Sequence, residues 1–308
     1  MKLIETVTVV IRAVGERTED ACISLTMEQV ENQNIFVIHE IPFSSAVKKT
    51  FELGLENNKK WTLAIDADVL IRKNAIPDLI NSANSSNYLN KLFVYQGSVL
   101  CKVFGKPRPA GFHLYQTKFL RKALSYCDET KNNIKPESSI YKKMNELGYV
   151  TYVSDKLYAL HDYEQYYQDN FRNGFLQAKK HPHYCESFMK YWGGNAELDS
   201  DYRAMLHGWI SGVSHRDTVR VDKNYFQKIV KKDFLNYELK EKKELDLTQM
   251  NPIKDLIETT INSNRLKGKI HIIPNPSKNR YYKKIVNLIA LIFIKTGNQF
   301  KKLSLILI

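Results

Sequence analysis

Between residue 6 and about residue 160, short apolar runs alternate with segments of helical periodicity. Thr6–Ile11 is β-branched throughout, which predicts a central strand buried on both faces. Asn34–Ile38 and the apolar run that begins at Trp61 predict two further strands. Because strands and helices alternate in this order, we expect an α/β fold, a three-layer Rossmann-like domain with helices on both faces of its sheet.

Helix-start signals lie between these strands. Thr18 precedes two acidic residues, and a hydroxyl cap followed by early acids suits the positive end of a helix dipole. Ser44 or Ser45 is expected to cap a second helix, whose apolar stripe begins at Val47. These signals predict one helix after each of the first two strands.

The alternation continues up to residue 180. The predicted strands are Leu92–Tyr95, Ser98–Phe104, Tyr149–Val153 and Lys156–Leu160. A turn is predicted at residues 96–97, and a bend at Pro107, Pro109 and Gly111. The predicted helices run from Pro136 to a stop at Gly148 and from Glu164 to Lys180.

Beyond about residue 200, Lys-rich helical segments replace this alternation. We expect three parts: a nucleotide-binding α/β domain over residues 1–200, a helical basic extension over 201–280, and an amphipathic or apolar tail over 281–308. Ile285–Ile294 supplies only half of the roughly 20 apolar residues that a spanning helix needs. The tail is therefore expected to lie in a membrane interface, with a buried helix or a dimer contact as the alternative.

The net charge of +13 suits nucleic acid, an anionic membrane surface or an anionic substrate. Basic residues become denser after about residue 220, and no nucleic-acid-binding motif is present, so we expect an anionic membrane surface and no nucleic acid. The four cysteines form no Cys-x-x-Cys pair, and the N-terminal residues lack a signal-peptide pattern. These features predict a cytoplasmic protein, peripheral on the inner face of the cell membrane.

Two carboxylates, Asp66 and Asp68, end the third predicted strand. In an extended strand, side chains at i and i+2 point the same way, so the two carboxylates are expected to converge. Their oxygens suit a hard divalent cation such as Mg²⁺ or Mn²⁺. A solvated turn at a strand end is the alternative. Because open α/β sheets bind ligands at the carboxyl ends of their strands, the position favours a binding site.

Several segments together resemble the inverting family 2 glycosyltransferases, which have the A-type nucleotide-sugar-binding fold. Val9–Arg12 is similar to the opening strand of that family, and Ile65–Asp68 resembles its metal-binding aspartate motif. Gly111–Tyr115 resembles its acceptor-side segment, and Pro136-Glu137 resembles the segment that carries its catalytic base. His161 stands where the family often places a third metal ligand.

The resemblance implies a metal-dependent glycosyltransferase of the hexosyltransferase class. It would move a sugar from a nucleotide-sugar donor to a glycan or lipid-linked acceptor in cell-surface polysaccharide synthesis, with inversion. The implied metal ligands are Asp66, Asp68 and His161, and an imidazole ligand favours Mn²⁺ over Mg²⁺. A partly desolvated Glu137 would be the catalytic base.

The donor nucleotide has its own candidate residues. Asp66 is a candidate for the ribose hydroxyls, and Glu40 replaces the acid that commonly holds the uracil or ribose in the family. Arg12 and Arg17 follow the first strand and are candidates for the base or the diphosphate, with exposed salt bridges as the alternative for each.

Two other classes of function stay open. A sugar-nucleotidyltransferase shares the sheet and the metal acids but needs a Gly-rich phosphate loop after the first strand, and the segment from Arg12 to Thr18 has one glycine. A non-catalytic, basic peripheral membrane or nucleic-acid-binding protein would depend on the charge alone.

Overall fold

The structure, a computed structural model, describes residues 6–131, 133, 135–216, 226 and 239–266. The described residues belong to two compact units. The first contains residues 6–166 and 243–266, and the second contains residues 167–216, 226 and 239–242. The predicted tail over residues 281–308 lies outside the described residues, as does part of the predicted extension, and the predicted boundaries at 200 and 280 stay predictions.

The first unit is built on a seven-stranded mixed sheet, which confirms the α/β class. Along the sheet the strand order is β2-β1-β3-β6-β5-β7-β4. The strands are β1 (Val7–Arg12), β2 (Ile35–Ile38), β3 (Trp61–Asp66), β4 (Val69–Ile71), β5 (Leu92–Cys101), β6 (Lys106–Gln116) and β7 (Val150–His161).

Strand direction decides which residues meet at one edge of the sheet. β1 is parallel to β2 and β3, β6 is antiparallel to both β3 and β5, and β7 is parallel to β5. β1, β3, β5 and β7 therefore run in the same direction. Their last residues, Arg12, Asp66, Cys101 and His161, all lie at the carboxyl edge, where open α/β sheets bind ligands.

Helices flank the sheet on both faces. The helices that the structure describes in the first unit are α1 (Glu19–Met27), α2 (Phe43–Asn57), α3 (Ala75–Asn84), α4 (Leu120–Leu124), α5 (Cys127–Thr130), α6 (Pro136–Glu146) and α10 (Asn251–Leu266). Those in the second unit are α7 (Tyr167–Lys180), α8 (Cys185–Gly193) and α9 (Ser200–Ser214). Leu63 and Ile65 of β3 pack in one apolar cluster with α1 and α3, whereas Ala64 packs in another with α2 and α6. The alternation along β3 thus separates two core layers.

Three predicted breaks in the sheet are wrong. β5 runs through the predicted turn at residues 96–97, where the pairing is only irregular, and β7 joins two strands that were predicted separately. The predicted bend at Pro107 and Pro109 lies inside β6, in the half that β3 does not pair with. Proline lacks a backbone N–H donor. It is tolerated in this half of β6 because the strand pairs there with β5 on one side and not with β3 on the other.

The helix start predicted after Thr18 is confirmed, but its expected cap hydrogen bond and two other predicted helix starts need correction. Thr18 makes no cap hydrogen bond, and its hydroxyl donates to the carbonyl of Ala67 at 2.8 Å instead. α2 starts at Phe43, before either predicted serine cap, and α7 starts at Tyr167, three residues later than predicted. By contrast, the helix from Pro136 and the left-handed Gly148 after it are confirmed.

The second unit is helical. Gly174 of α7 and Gly208 of α9 allow close packing of these two helices, because a Cβ on either glycine would meet backbone of the other helix. Phe171 and Phe175 are fully buried, as expected of a core stripe on α7. None of the helices that the structure describes is long and apolar enough to cross a membrane.

Candidate functional site

A buried arginine links two acids at the carboxyl edge of the sheet. Arg12 donates from Nε to Asp66 Oδ1 at 2.7 Å and from Nη1 to Glu137 Oε1 at 2.8 Å. Its guanidinium lies over the ring of Phe43, with 4.9 Å from Cζ to the ring centroid. The third nitrogen, Nη2, is buried and has no hydrogen-bond partner. Arg12 therefore keeps a donor for a ligand while it holds both carboxylates.

Strand β6 supplies further partners of Glu137. The hydroxyl of Tyr115 lies 2.5 Å from Glu137 Oε1 and 2.7 Å from the hydroxyl of Tyr141. His113 Nε2 lies 3.6 Å from Glu137 Oε2, and its Nδ1 lies 3.2 Å from the side-chain nitrogen of Gln96. Burial is the main cause that lowers the pKa of His113, and the charge of Glu137 opposes it.

These contacts set the charge of Glu137. Burial by itself raises the pKa of this carboxyl, but Arg12, His113 and the Tyr115 hydroxyl outweigh burial and lower it to about 2. We expected desolvation to make Glu137 a stronger base. The ion pair with Arg12 reverses that expectation, and the role of catalytic base stays a prediction.

The two predicted metal carboxylates belong to different local structures. Asp66 is the last residue of β3, whereas Asp68 lies in the turn before β4, so the expected alternation along one strand does not apply. Asp66 Oδ1 is occupied by Arg12, but Asp68 Oδ1 is buried without a hydrogen-bond partner. Burial is the largest cause that raises the pKa of Asp68, and the charges of Asp162 and Asp66 add to it.

His161 ends β7 directly beside this turn, because Val69 pairs with His161 in the antiparallel β4–β7 ladder. Its Nε2 lies 3.6 Å from Asp68 Oδ1, and its Nδ1 lies 2.6 Å from Asp162 Oδ2. Burial lowers the pKa of His161, but the two carboxylates outweigh burial and raise it well above the usual value.

The fit of a divalent cation rests on Asp68 and His161. Two atoms 3.6 Å apart can both bind one ion at about 2.1 Å, since twice that length exceeds their separation. The unpartnered Asp68 Oδ1 supplies the oxygen and the imidazole supplies the nitrogen that Mn²⁺ accepts. Asp66 does not complete a third ligand position: among the described residues, the group of three acid, thiol or imidazole side chains whose ligand atoms all lie within 4.8 Å of one another is Cys101, His161 and Asp162, which includes neither Asp66 nor Asp68.

A glycine makes room for Asp66. Gly111 of β6 has a φ of +62°, and a Cβ there would lie 3.0 Å from Asp66 Oδ2 and 2.8 Å from Val69 Cγ2. Both the backbone conformation and the space require glycine at this position. The predicted acceptor-side segment therefore begins at the wall of the aspartate site.

Two predicted nucleotide contacts lie elsewhere in the first unit. Arg17 donates from Nη1 to the backbone and side chain of Glu164, both at 2.9 Å, and from Nε to the carbonyl of Lys243 at 2.6 Å. Glu40 is exposed in the segment between β2 and α2. Their roles in nucleotide binding stay predictions.

Sequence reasoning placed His113 and Tyr115 only within the acceptor-side segment, without their contacts to Glu137, and it gave no role to Asp162 or Cys101. His113 and Tyr115 lie two residues apart in β6, and strand alternation would have placed them on one face. Asp162 follows a predicted ligand directly, and Cys101 ends a parallel strand, but neither carries a motif that points to a ligand. Only the fold shows that these two side chains meet, with Cys101 Sγ donating to Asp162 Oδ2 at 3.3 Å.

Comparison with known proteins adds one likeness. No protein-family model matches the chain, and no curated protein matches it. Among solved structures, the chain is similar to the crystal structure of a glycosyltransferase involved in the glycosylation of the major capsid of PBCV-1. The TM-score is 0.37 at 12% sequence identity, over 48% of this chain and 82% of that chain. A likeness of this size assigns no family and no activity, so function has to be argued from the site.

Proposed function

We propose that this protein is a metal-dependent glycosyltransferase that moves a sugar from a nucleotide-sugar donor to a glycan or lipid-linked acceptor. One observation carries the proposal: Asp68 and His161 face each other beside the Arg12–Asp66 pair, at the carboxyl edge of parallel strands. Nucleotides bind at this edge in open α/β sheets. Cation ligands next to a buried arginine suit a diphosphate.

Asp68 and His161 would hold the cation, Mn²⁺ or Mg²⁺. When bound, a divalent cation neutralises the charge that builds on a departing diphosphate. Arg12 would direct its unpartnered Nη2 at an oxygen of the donor, since a buried donor without a partner costs about 1–3 kcal/mol. Asp66, held by Arg12 and with a side chain 24% exposed, would accept from the ribose hydroxyls.

The acceptor hydroxyl has to lose a proton as it attacks the anomeric carbon, and Glu137 is the base that the family resemblance implies. A carboxylate with a pKa of about 2 holds a proton poorly. In this proposal, the ion pair between Glu137 and Arg12 therefore opens when the donor diphosphate engages Arg12, which raises the pKa of Glu137. Attack from the face opposite the diphosphate inverts the linkage.

The acceptor and the location are also part of the proposal. The net charge of +13 and the denser basic residues after about residue 220 suit an anionic membrane surface, where a lipid-linked acceptor would be presented. We therefore propose a peripheral enzyme of the cytoplasmic membrane face.

Steeply salt-dependent binding to polyanions without affinity for any nucleotide sugar would favour the non-catalytic alternative, a basic peripheral membrane or nucleic-acid-binding protein.

Nucleotide-sugar turnover with Mn²⁺ tests the proposed activity. The protein should hydrolyse or transfer from at least one nucleotide sugar, and both chelation and Asp68→Asn should abolish turnover. Half-buried Asp78→Asn is the matched control, because Asp78 also forms an ion pair, with Arg72, but is not one of the proposed ligands. Turnover that survives both chelation and Asp68→Asn would contradict the metal role.

A further inference from the structure

Asp162 contacts both residues that we propose as cation ligands, without belonging to that ligand set. Its carboxylate oxygen Oδ2 lies 2.6 Å from His161 Nδ1. Its backbone N–H donates to the carbonyl of Asp68 at 3.1 Å. One residue therefore touches the ring of the imidazole and the backbone of the turn that carries the carboxylate.

The surroundings fix Asp162 itself. The residue is 5% exposed, and the thiol of Cys101 donates to the same Oδ2 at 3.3 Å. Its φ is +64°, a left-handed conformation that costs a non-glycine residue about 1–2 kcal/mol, although aspartate and asparagine accept it better than most. Backbone strain of this kind persists where the surrounding structure imposes it, and it clusters at functional sites.

The contact at Nδ1 decides what the other ring nitrogen can do. A carboxylate beside Nδ1 favours the ring proton on that nitrogen and leaves Nε2 for ligation, and the same ion pair orients the ring. In this protein Nε2 faces Asp68 Oδ1 at 3.6 Å. A carboxylate on the far nitrogen also makes the imidazole a better ligand.

We propose that Asp162 is a positioning residue: its carboxylate orients His161 so that Nε2 faces Asp68, and its backbone N–H fixes the turn that carries Asp68. The proposal rests on the proposed function, since it presumes that Asp68 and His161 bind a divalent cation. Asp162 acts through these two residues and does not touch the ion. Removal of the Asp162 carboxylate should therefore lower the affinity for the cation about 10–100-fold.

The competing arrangement is direct ligation. Cys101, His161 and Asp162 each offer an atom within 4.8 Å of the others, which is a soft ligand set suited to zinc rather than manganese. The thiol distinguishes the two arrangements. A positioning role needs only a hydrogen-bond donor at residue 101, whereas direct ligation needs the sulfur.

The test measures Mn²⁺ affinity of the full chain by calorimetry, with thermal unfolding of each apo variant as the folding control. Asp162→Gly removes the carboxylate and tolerates the positive φ, whereas Asp162→Asn keeps an uncharged acceptor in a residue that also tolerates it. Cys101→Ser is the matched control because a hydroxyl still donates.

Wild-type protein should bind Mn²⁺, Asp162→Gly should bind about 10–100-fold more weakly, and Asp162→Asn should recover part of that loss. Asp162→Asn should itself bind Mn²⁺ about fivefold more weakly than wild type, because a neutral acceptor replaces a charged one. If Asp162→Gly does not fold, this comparison of Asp162→Asn with wild type tests the positioning role. Wild-type affinity in Asp162→Asn, no recovery relative to Asp162→Gly, or a large loss in Cys101→Ser would overturn the positioning role. Wild-type protein that binds no Mn²⁺ would instead contradict the proposed function.

Discussion

Arg12, the last residue of β1, is joined to Glu137, the second residue of α6, by a buried 2.8 Å hydrogen bond across 125 residues of sequence. The same guanidinium holds Asp66 at the end of β3. One buried cation thus connects a strand end that we assign to the donor with the helix that carries the predicted base. The predictions below follow from this connection and from the cation site beside it.

Glu137→Gln should destabilise the fold, because it leaves Arg12 buried with one charged partner fewer. We expect a loss of about 3 kcal/mol in the free energy of unfolding, measured by urea denaturation at neutral pH. Glu129→Gln is the matched control, since Glu129 pairs with Lys143 at the exposed surface and should matter little. Equal effects of the two changes would show that the Arg12 pair is energetically unimportant.

The same carboxyl predicts a pH dependence of stability. The pKa of Glu137 is about 2 in the folded state and 4.5 in its usual state, so its contribution is complete above pH 4.5 and is lost as the pH falls towards 2. The contribution is on the order of 3 kcal/mol. Denaturation at a series of acid pH values should show a shallower decline in Glu137→Gln than in wild type. Parallel declines would contradict the lowered pKa.

Glu137→Gln also separates a catalytic from a structural role. If Glu137 is the base, the variant should lose at least about 100-fold in transfer while it still binds nucleotide, because general base catalysis contributes about 10²–10⁴-fold. Nucleotide affinity from calorimetry and transfer rates measure the two effects on the same folded sample. Loss of nucleotide affinity together with transfer would assign Glu137 to the support of Arg12.

Gly111→Ala should cost more stability than Gly148→Ala. Both glycines have positive φ, so each substitution carries a conformational cost of about 1–2 kcal/mol. Only at residue 111 would the new methyl group also meet Asp66 and Val69, because nothing lies within 4 Å of a Cβ at residue 148. Urea denaturation of both variants measures the two losses in the free energy of unfolding. Equal losses would mean that a methyl group at residue 111 does not clash with Asp66 and Val69.

The sequence predicted the parts of the fold that local pattern controls. β1 is buried throughout and its first five residues are β-branched, so its pattern identified both its structure and its environment. The prediction split β5, because Gln96-Gly97 resembles a turn although β5 pairs with both neighbouring strands, β6 and β7, on either side of it. Local sequence signals do not show how many strands pair with a segment, and this number of neighbours determines whether a turn-like dipeptide interrupts the strand.

The site was predictable only as a set of candidates. Strand ends identified Asp66, Asp68 and His161, since carboxyl edges follow from strand order. The partner of each side chain was not predictable: Arg12 joins Glu137 through sheet order and helix packing, and Arg17 pairs with Glu164. Asp162 became visible only when β4 and β7 brought the turn and the strand end together.

The central claim is a nucleotide-sugar site that depends on a cation held by Asp68 and His161. The most direct measurement is thermal unfolding of the full chain across a panel of nucleotide sugars, with Mn²⁺ and with chelator. At least one nucleotide sugar should raise the unfolding temperature with Mn²⁺, because selective binding stabilises the folded state, and the increase should vanish with chelator and in Asp68→Asn. No increase with any nucleotide sugar, or an equal increase in chelator and in Asp68→Asn, would contradict the account.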